Sequence, residues 1–204
     1  MSTKYGFSSL REQLLHSLKG AYPTKWEAYQ NASVLGEDIF GSPKPHPNLV
    51  LNLFLEQNVR FAMPVAAYRA ALGGFSSLIS TEPGLALPRL ALASIFYGMD
   101  VMRSEVFHGA HSIVCNMNLA GCRNGKCIMN EGLGSPGRRM EGLKNAYDAM
   151  VKGDEGDVLS SLLLGDIFCA NCATVAGKGY KRLCAMIWEN LPRIFRVGKG
   201  WEEI

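Results

Sequence analysis

Apolar residues recur at three- and four-residue spacing along almost the whole chain, and no stretch sustains an alternation of period two. That spacing gathers apolar side chains on one stripe of a helix, not on one face of a strand. The expected fold is therefore all-α, an irregular bundle of roughly seven to eight helices. A first helix is expected over 5–19, burying Phe7, Leu10, Leu14 and Leu18. Tyr22 and Pro23 end it, and Thr24 is positioned to cap a short helix with Trp26 and Tyr29 inward. The stretch 35–47 holds three prolines and two glycines and reads as a loop, an early site for proteolysis.

Beyond that loop, Pro47 can open a helix without loss, because the first helical N–H has no intrahelical partner. Leu49, Val50, Leu53, Phe54 and Gln57 mark its body. Pro64 opens the next helix, through Val65, Tyr68, Ala71 and Leu72, and Gly73-Gly74 stops it. The stretch 88–111 is the longest apolar helix candidate. Ser135 and Pro136 signal another start, with Met140, Leu143, Tyr147 and Met150 on one face. Val158, Leu159, Leu162 and Leu163 then lead into Cys169. Cys172 opens a last long helix that must end near Pro192. Cys184 continues its apolar pattern and is expected in the core.

Two short cysteine pairs punctuate this layout: Cys122 and Cys127 around a Gly-containing turn, and Cys169 and Cys172 as Cys-x-x-Cys. Two thiolate pairs can each give a tetrahedral zinc ion two ligands from one tight turn, so a structural zinc site is expected to staple the bundle. Four thiolates leave no open position for water or substrate, so such a metal holds the fold. Two disulfides, or four packed core cysteines, are the alternatives. The first residues carry no apolar segment behind a basic one, so an intracellular location, cytoplasmic or nuclear, is expected, where thiols stay reduced.

With 204 residues, 48% of them apolar and 19% charged, the chain can build one good core or two small modules. We expect a single helical domain over 1–204, with an N-terminal helical part (1–114) and a zinc-stabilised C-terminal part (115–204). No apolar run is long enough to suggest a membrane span. The net charge of +3 is spread through the chain and argues against a dedicated nucleic-acid binder. Arg138 and Arg139, Lys178 to Arg182 and Arg193 to Lys199 form a basic face only if folding collects them. A mixed solvated surface is the simpler expectation.

The C-terminal string, Cys169-Ala-Asn-Cys172 followed by Lys181-Arg182-Leu183, the run Ile187 to Phe195 and Trp201-Glu202-Glu203, resembles the helical C-terminal region of BTB/POZ-domain proteins of mushroom-forming fungi. Lys4 to Phe7, Leu10-Arg11 and Tyr22-Pro23-Thr24 look like the segment that follows the BTB fold there, and Cys122 and Cys127 match the family's first cysteine pair. No segment here supplies the BTB fold itself, so dimerisation and cullin-scaffold binding are not implied. The resemblance implies a helical partner domain.

Catalytic constellations are sparse. His108, His111 and Cys115 would share one helix face and could reach a metal or serve as a thiol and base, but no third group supports them. His16 and His46 belong to no nucleophile motif. The expected function is a non-enzymatic, zinc-stabilised module that binds a protein partner, with Phe195 and Trp201 in the C-terminal tail as candidate anchors. A nucleic-acid or transcription-associated binder, using Arg123 and Lys126, is the first alternative. A small-molecule or thiol enzyme using His108, His111 and Cys115 is the second.

Overall fold

The computed structural model describes residues 7–35, 45–116 and 170–204. Every regular element among them is helical, as the spacing of apolar residues demands. In chain order these are α1 (Phe7–Ala21), α2 (Trp26–Leu35), α3 (Pro47–Glu56), a 3-10 turn (Arg60–Ala62), α4 (Met63–Leu72) and α5 (Gly74–Leu78). The long α6 (Arg89–Asn116), α7 (Ala170–Glu189), α8 (Leu191–Ile194) and a final 3-10 turn (Trp201–Glu203) follow. The expected helix from Pro136, its face Met140 to Met150, and the apolar run Val158 to Leu163 lie outside the described residues. The chain forms two compact units, one of residues 1–98 with 188–204 and the other of 99–187.

The first unit is organised around α4. Four of its ten residues are alanine, and all of its side chains from Met63 to Ala71 except Arg69 are buried. Small side chains let neighbours approach closely, and α3, α5 and α8 all pack on it. Pro64 sits in its first turn, where the missing N–H costs nothing. After Gly73 the chain turns through Gly74, whose φ of 76° is open to glycine without strain. The same pair of glycines that stops α4 thus starts α5, a short helix that apolar spacing alone does not announce.

Rings pack against α4 in a continuous cluster. Trp188 meets Tyr29 at 4.4 Å, Trp26 at 5.3 Å and Tyr68 at 5.5 Å between centroids, and all four residues are buried. The Arg69 guanidinium lies 4.7 Å from the Tyr22 ring centroid and 5.7 Å from that of Tyr29. It also donates to the Ala21 carbonyl at 3.1 Å. That carbonyl belongs to the last turn of α1, which has no intrahelical donor left and carries the negative end of the helix dipole. One cation therefore ties the end of α1 to the ring cluster.

Two expectations for this unit are corrected. Leu10 and Leu14 are 50% and 57% exposed, so α1 does not bury the stripe its spacing suggested; Leu18 is half-buried. Thr24 is not the residue at the head of α2: the helix starts at Trp26, and the Lys25 carbonyl accepts from the Tyr29 N–H. Trp26 and Tyr29 point inward as expected.

Polar side chains of α3 hold the segment that leads into α6. His46 caps the helix, its Nδ1 accepting from the Asn48 N–H at 3.2 Å while Nε2 lies 3.1 Å from Ser77 Oγ. With Nδ1 accepting, the ring proton sits on Nε2 and is donated to the serine. Asn48, fully buried, donates to the carbonyls of Ser77 (2.8 Å) and Leu85 (3.1 Å). One turn on, Asn52 donates to those of Gly84 (3.0 Å) and Ala86 (3.1 Å). Asn48→Ala strands two carbonyls and leaves a hole, and should lower the urea-unfolding free energy by about 2–3 kcal/mol. A loss under about half a kcal/mol, the range of ordinary surface substitutions, would mean that this clamp does not hold the segment.

The second unit contains the C-terminal part of α6 and most of α7. Met102, Val106 and Ala110 form a buried row at four-residue spacing, and Cys172, Ala176, Leu183, Cys184 and Ile187 are buried along α7. Glycine sets their approach. A Cβ on Gly109 would overlap the Leu183 methyls, and one on Gly179 would lie 3.1 Å from Ile113. Cys184 is 2% exposed, a core residue as expected.

Candidate functional site

The candidate site is a groove of 370 Å³ in the first unit. Its floor is apolar: Leu51 and Leu55 of α3, Met63 and Ala67 of α4, Ile95 of α6, and Phe195 just after α8. Phe195 is fixed there by a glycine. A Cβ on Gly98 would stand 2.5 Å from two of its ring carbons, so only glycine lets α6 approach this closely. The groove falls in the size range of ordinary ligand pockets, which pair apolar walls with a few placed polar groups.

Those polar groups here are Asn58, Arg60, Ser94 and Arg196. Asn58 and Arg196, with φ of 52° and 57°, are the two non-glycine residues with positive φ among the described residues, and both line this groove. Left-handed backbone is tolerable for asparagine but strained for arginine, and such residues cluster at ligand sites. The Arg196 guanidinium stacks 3.9 Å from the Tyr97 ring centroid, and Arg60 donates to the Val197 carbonyl over a long 3.4 Å. Among the described residues neither arginine makes an ion pair, whereas the exposed Lys199 and Glu203 lie 4.0 Å apart. Leu90, in the lining, is 84% exposed, and Tyr97, beneath the Arg196 guanidinium, is 45% exposed.

Of the four expected zinc ligands, Cys172 is described and Cys122, Cys127 and Cys169 lie outside the described residues. Cys172 sits in the first turn of α7 and is 4% exposed. Both features suit a structural ligand: burial keeps the site dry, and the positive end of the helix dipole favours anions. His108 is exposed on α6, its Nδ1 3.1 Å from the Ser104 carbonyl one turn back. His111 is half-buried on the same helix, and the side chain of Cys115 lies outside the described residues. Among the described residues no three His, Cys, Asp or Glu side chains converge to hold a metal. Arg123, Lys126, Arg138 and Arg139 also lie outside them.

The tail does not offer the anchors its sequence suggested. Leu191, Pro192, Ile194 and Phe195 are buried, and the Trp201 indole donates at 3.1 Å to the Trp188 carbonyl, in the last turn of α7, where carbonyls lack intrahelical donors. Phe195 is packed into the core and the groove floor, and Trp201 is half-buried and tied to the end of α7. Spacing missed the groove because its polar residues come from three separate stretches. Asn58 was legible only as a residue tolerant of left-handed backbone, and Arg196 only as part of the basic run Arg193 to Lys199.

No helix among the described residues is long and apolar enough to cross a membrane. Comparison with known protein families, curated proteins and solved structures finds no match for this chain.

Proposed function

We propose that the chain is a non-enzymatic helical module that binds a protein partner through this groove, with a structural zinc ion held by Cys122, Cys127, Cys169 and Cys172. The observation that carries the reading is the combination of an apolar floor, the exposed Leu90 in the lining, and two arginines that make no ion pair among the described residues. Exposed apolar surface rimmed by polar groups marks interaction sites, and aromatic residues and arginine supply much of the energy at protein interfaces. The resemblance to the region that accompanies BTB domains points the same way, since it implies a partner domain.

A photo-crosslinking residue at position 90 tests the reading in cells that express the protein. The expected product is an adduct with one protein, identified by mass spectrometry and lost when Ser94→Trp fills the groove. An adduct destroyed by nuclease would favour the nucleic-acid reading instead. A protein adduct indifferent to Ser94→Trp would remove the groove from the function.

A further inference from the structure

The lip of the groove reaches beyond what a small ligand on its floor would cover. Leu90, which lines the groove, and Tyr97, which carries the groove-lining Arg196 on its ring, stand two helical turns apart on α6 at 84% and 45% exposure. An acyl chain lying on Leu51, Leu55 and Phe195 would leave that lip in water. An occupant that buries both floor and lip has the dimensions of a peptide segment. A nucleic acid could use the arginines but would gain nothing from an apolar floor.

Charge narrows the choice further. The Arg196 guanidinium is pinned over the Tyr97 ring, and a stacked guanidinium still presents its N–H edge for a forked bond to a carboxylate. Arg60 gives one of its five N–H donors to a backbone carbonyl over a long 3.4 Å, which leaves others for a charge-assisted bond to a carboxylate. A basic partner would meet two cations that make no ion pair among the described residues.

We infer that the groove takes an acidic, apolar segment of a partner protein: a large apolar side chain on the floor and an Asp, Glu or C-terminal carboxylate on Arg60 and Arg196. This rests on the protein-interaction reading and names the chemistry of its partner. Two arginines at the rim set the orientation of the segment, and the exposed Leu90 offers apolar surface for it to cover.

Selection of short random phage-displayed peptides on the full-length protein tests the inference, with fluorescence anisotropy of the selected peptides as readout. The expected outcome is enrichment of sequences that pair a large apolar residue with Asp or Glu. Their binding should weaken about tenfold or more when the acid becomes Gln or when Arg60→Gln and Arg196→Gln are combined, the tenfold corresponding to about 1.4 kcal/mol. It should vanish with Ser94→Trp. Both arginines are exposed, so these variants should keep the parent's thermal melt, and Arg196→Lys, which retains charge without the fork, should fall between. Neutral or basic peptides that Ser94→Trp blocks would overturn the acidic assignment and leave the groove as a protein site. Failure to enrich any peptide, or enrichment only of peptides indifferent to Ser94→Trp, would overturn both. Dodecanoate displacing a groove-bound reporter more tightly than every selected peptide would overturn the assignment in favour of a lipid.

Discussion

If the proposed zinc site forms, Cys172→Ser should release the metal and lower stability by several kcal/mol, a large effect for a single substitution. If two thiolate pairs share one ion, structural zinc contributes on the order of 10 kcal/mol of apparent binding free energy at neutral pH. A typical domain has only about 5–15 kcal/mol of net stability. A serine oxygen is a poor substitute for a thiolate, and Cys172 lies buried in the first turn of α7, so its loss has no solvent-exposed compensation. Cys184→Ser is the matched control. It is equally buried on the same helix, and its hydroxyl should cost about 1–3 kcal/mol without changing metal content. Metal analysis of protein purified under reducing conditions, with a chelator-release time course and thermal melts, reads both. Wild-type protein without zinc, or Cys172→Ser protein that retains it, would remove the metal from the reading.

The two cysteines also show what periodicity can and cannot locate. Cys184 was placed in the core because it continues an apolar row that a helix must bury, and burial follows from spacing directly. The same logic placed Trp26, Tyr29 and α4 correctly, and on α3 it holds for Val50 and Phe54 but not for Leu49 and Leu53, which are 47% and 45% exposed. It failed at Leu10 and Leu14, because an apolar stripe says that a helix can be buried, not that a neighbour covers it there. It missed α5 because five residues are too few to show a period. Phe195 and Trp201 looked dispensable beyond a proline, yet Pro192 starts a new short helix that folds the chain back onto its own core.

Much of the candidate groove was unreadable for a different reason. Asn58 with Arg60, Ser94 and Arg196 come from three stretches far apart in sequence, and only the packing of α3, α4, α6 and α8 collects them. The close approach that shapes the floor depends on Gly98, whose role is visible only once Phe195 is seen 2.5 Å from the position of its absent Cβ. His46 is the same kind of case. In sequence it is a histidine among prolines, and in the fold it caps α3 and reaches Ser77.

Trp188→Ala should destabilise the first unit by about 3–5 kcal/mol, near the upper range for a single core residue. Three rings contact the Trp188 indole: Trp26, Tyr29 and Tyr68, at 4.4–5.5 Å between centroids. Each such pair adds about 0.5–1.5 kcal/mol beyond the area it buries, and the shell cannot collapse to fill the hole because α4 already packs Tyr68 at full burial. Trp188→Phe separates packing from hydrogen bonding. Among the described residues the Trp188 Nε1–H is buried without a hydrogen-bond partner, so phenylalanine forfeits volume but no bond, and it removes a donor whose burial is itself unfavourable. Its cost should therefore be less than half that of alanine. The Trp201 indole bonds the backbone carbonyl of residue 188, not its ring, so neither substitution deletes that contact. Urea unfolding followed by far-ultraviolet circular dichroism measures all three proteins. A loss below about 1 kcal/mol for Trp188→Ala, the mean for an arbitrary substitution, would show that the ring cluster does not hold the unit together.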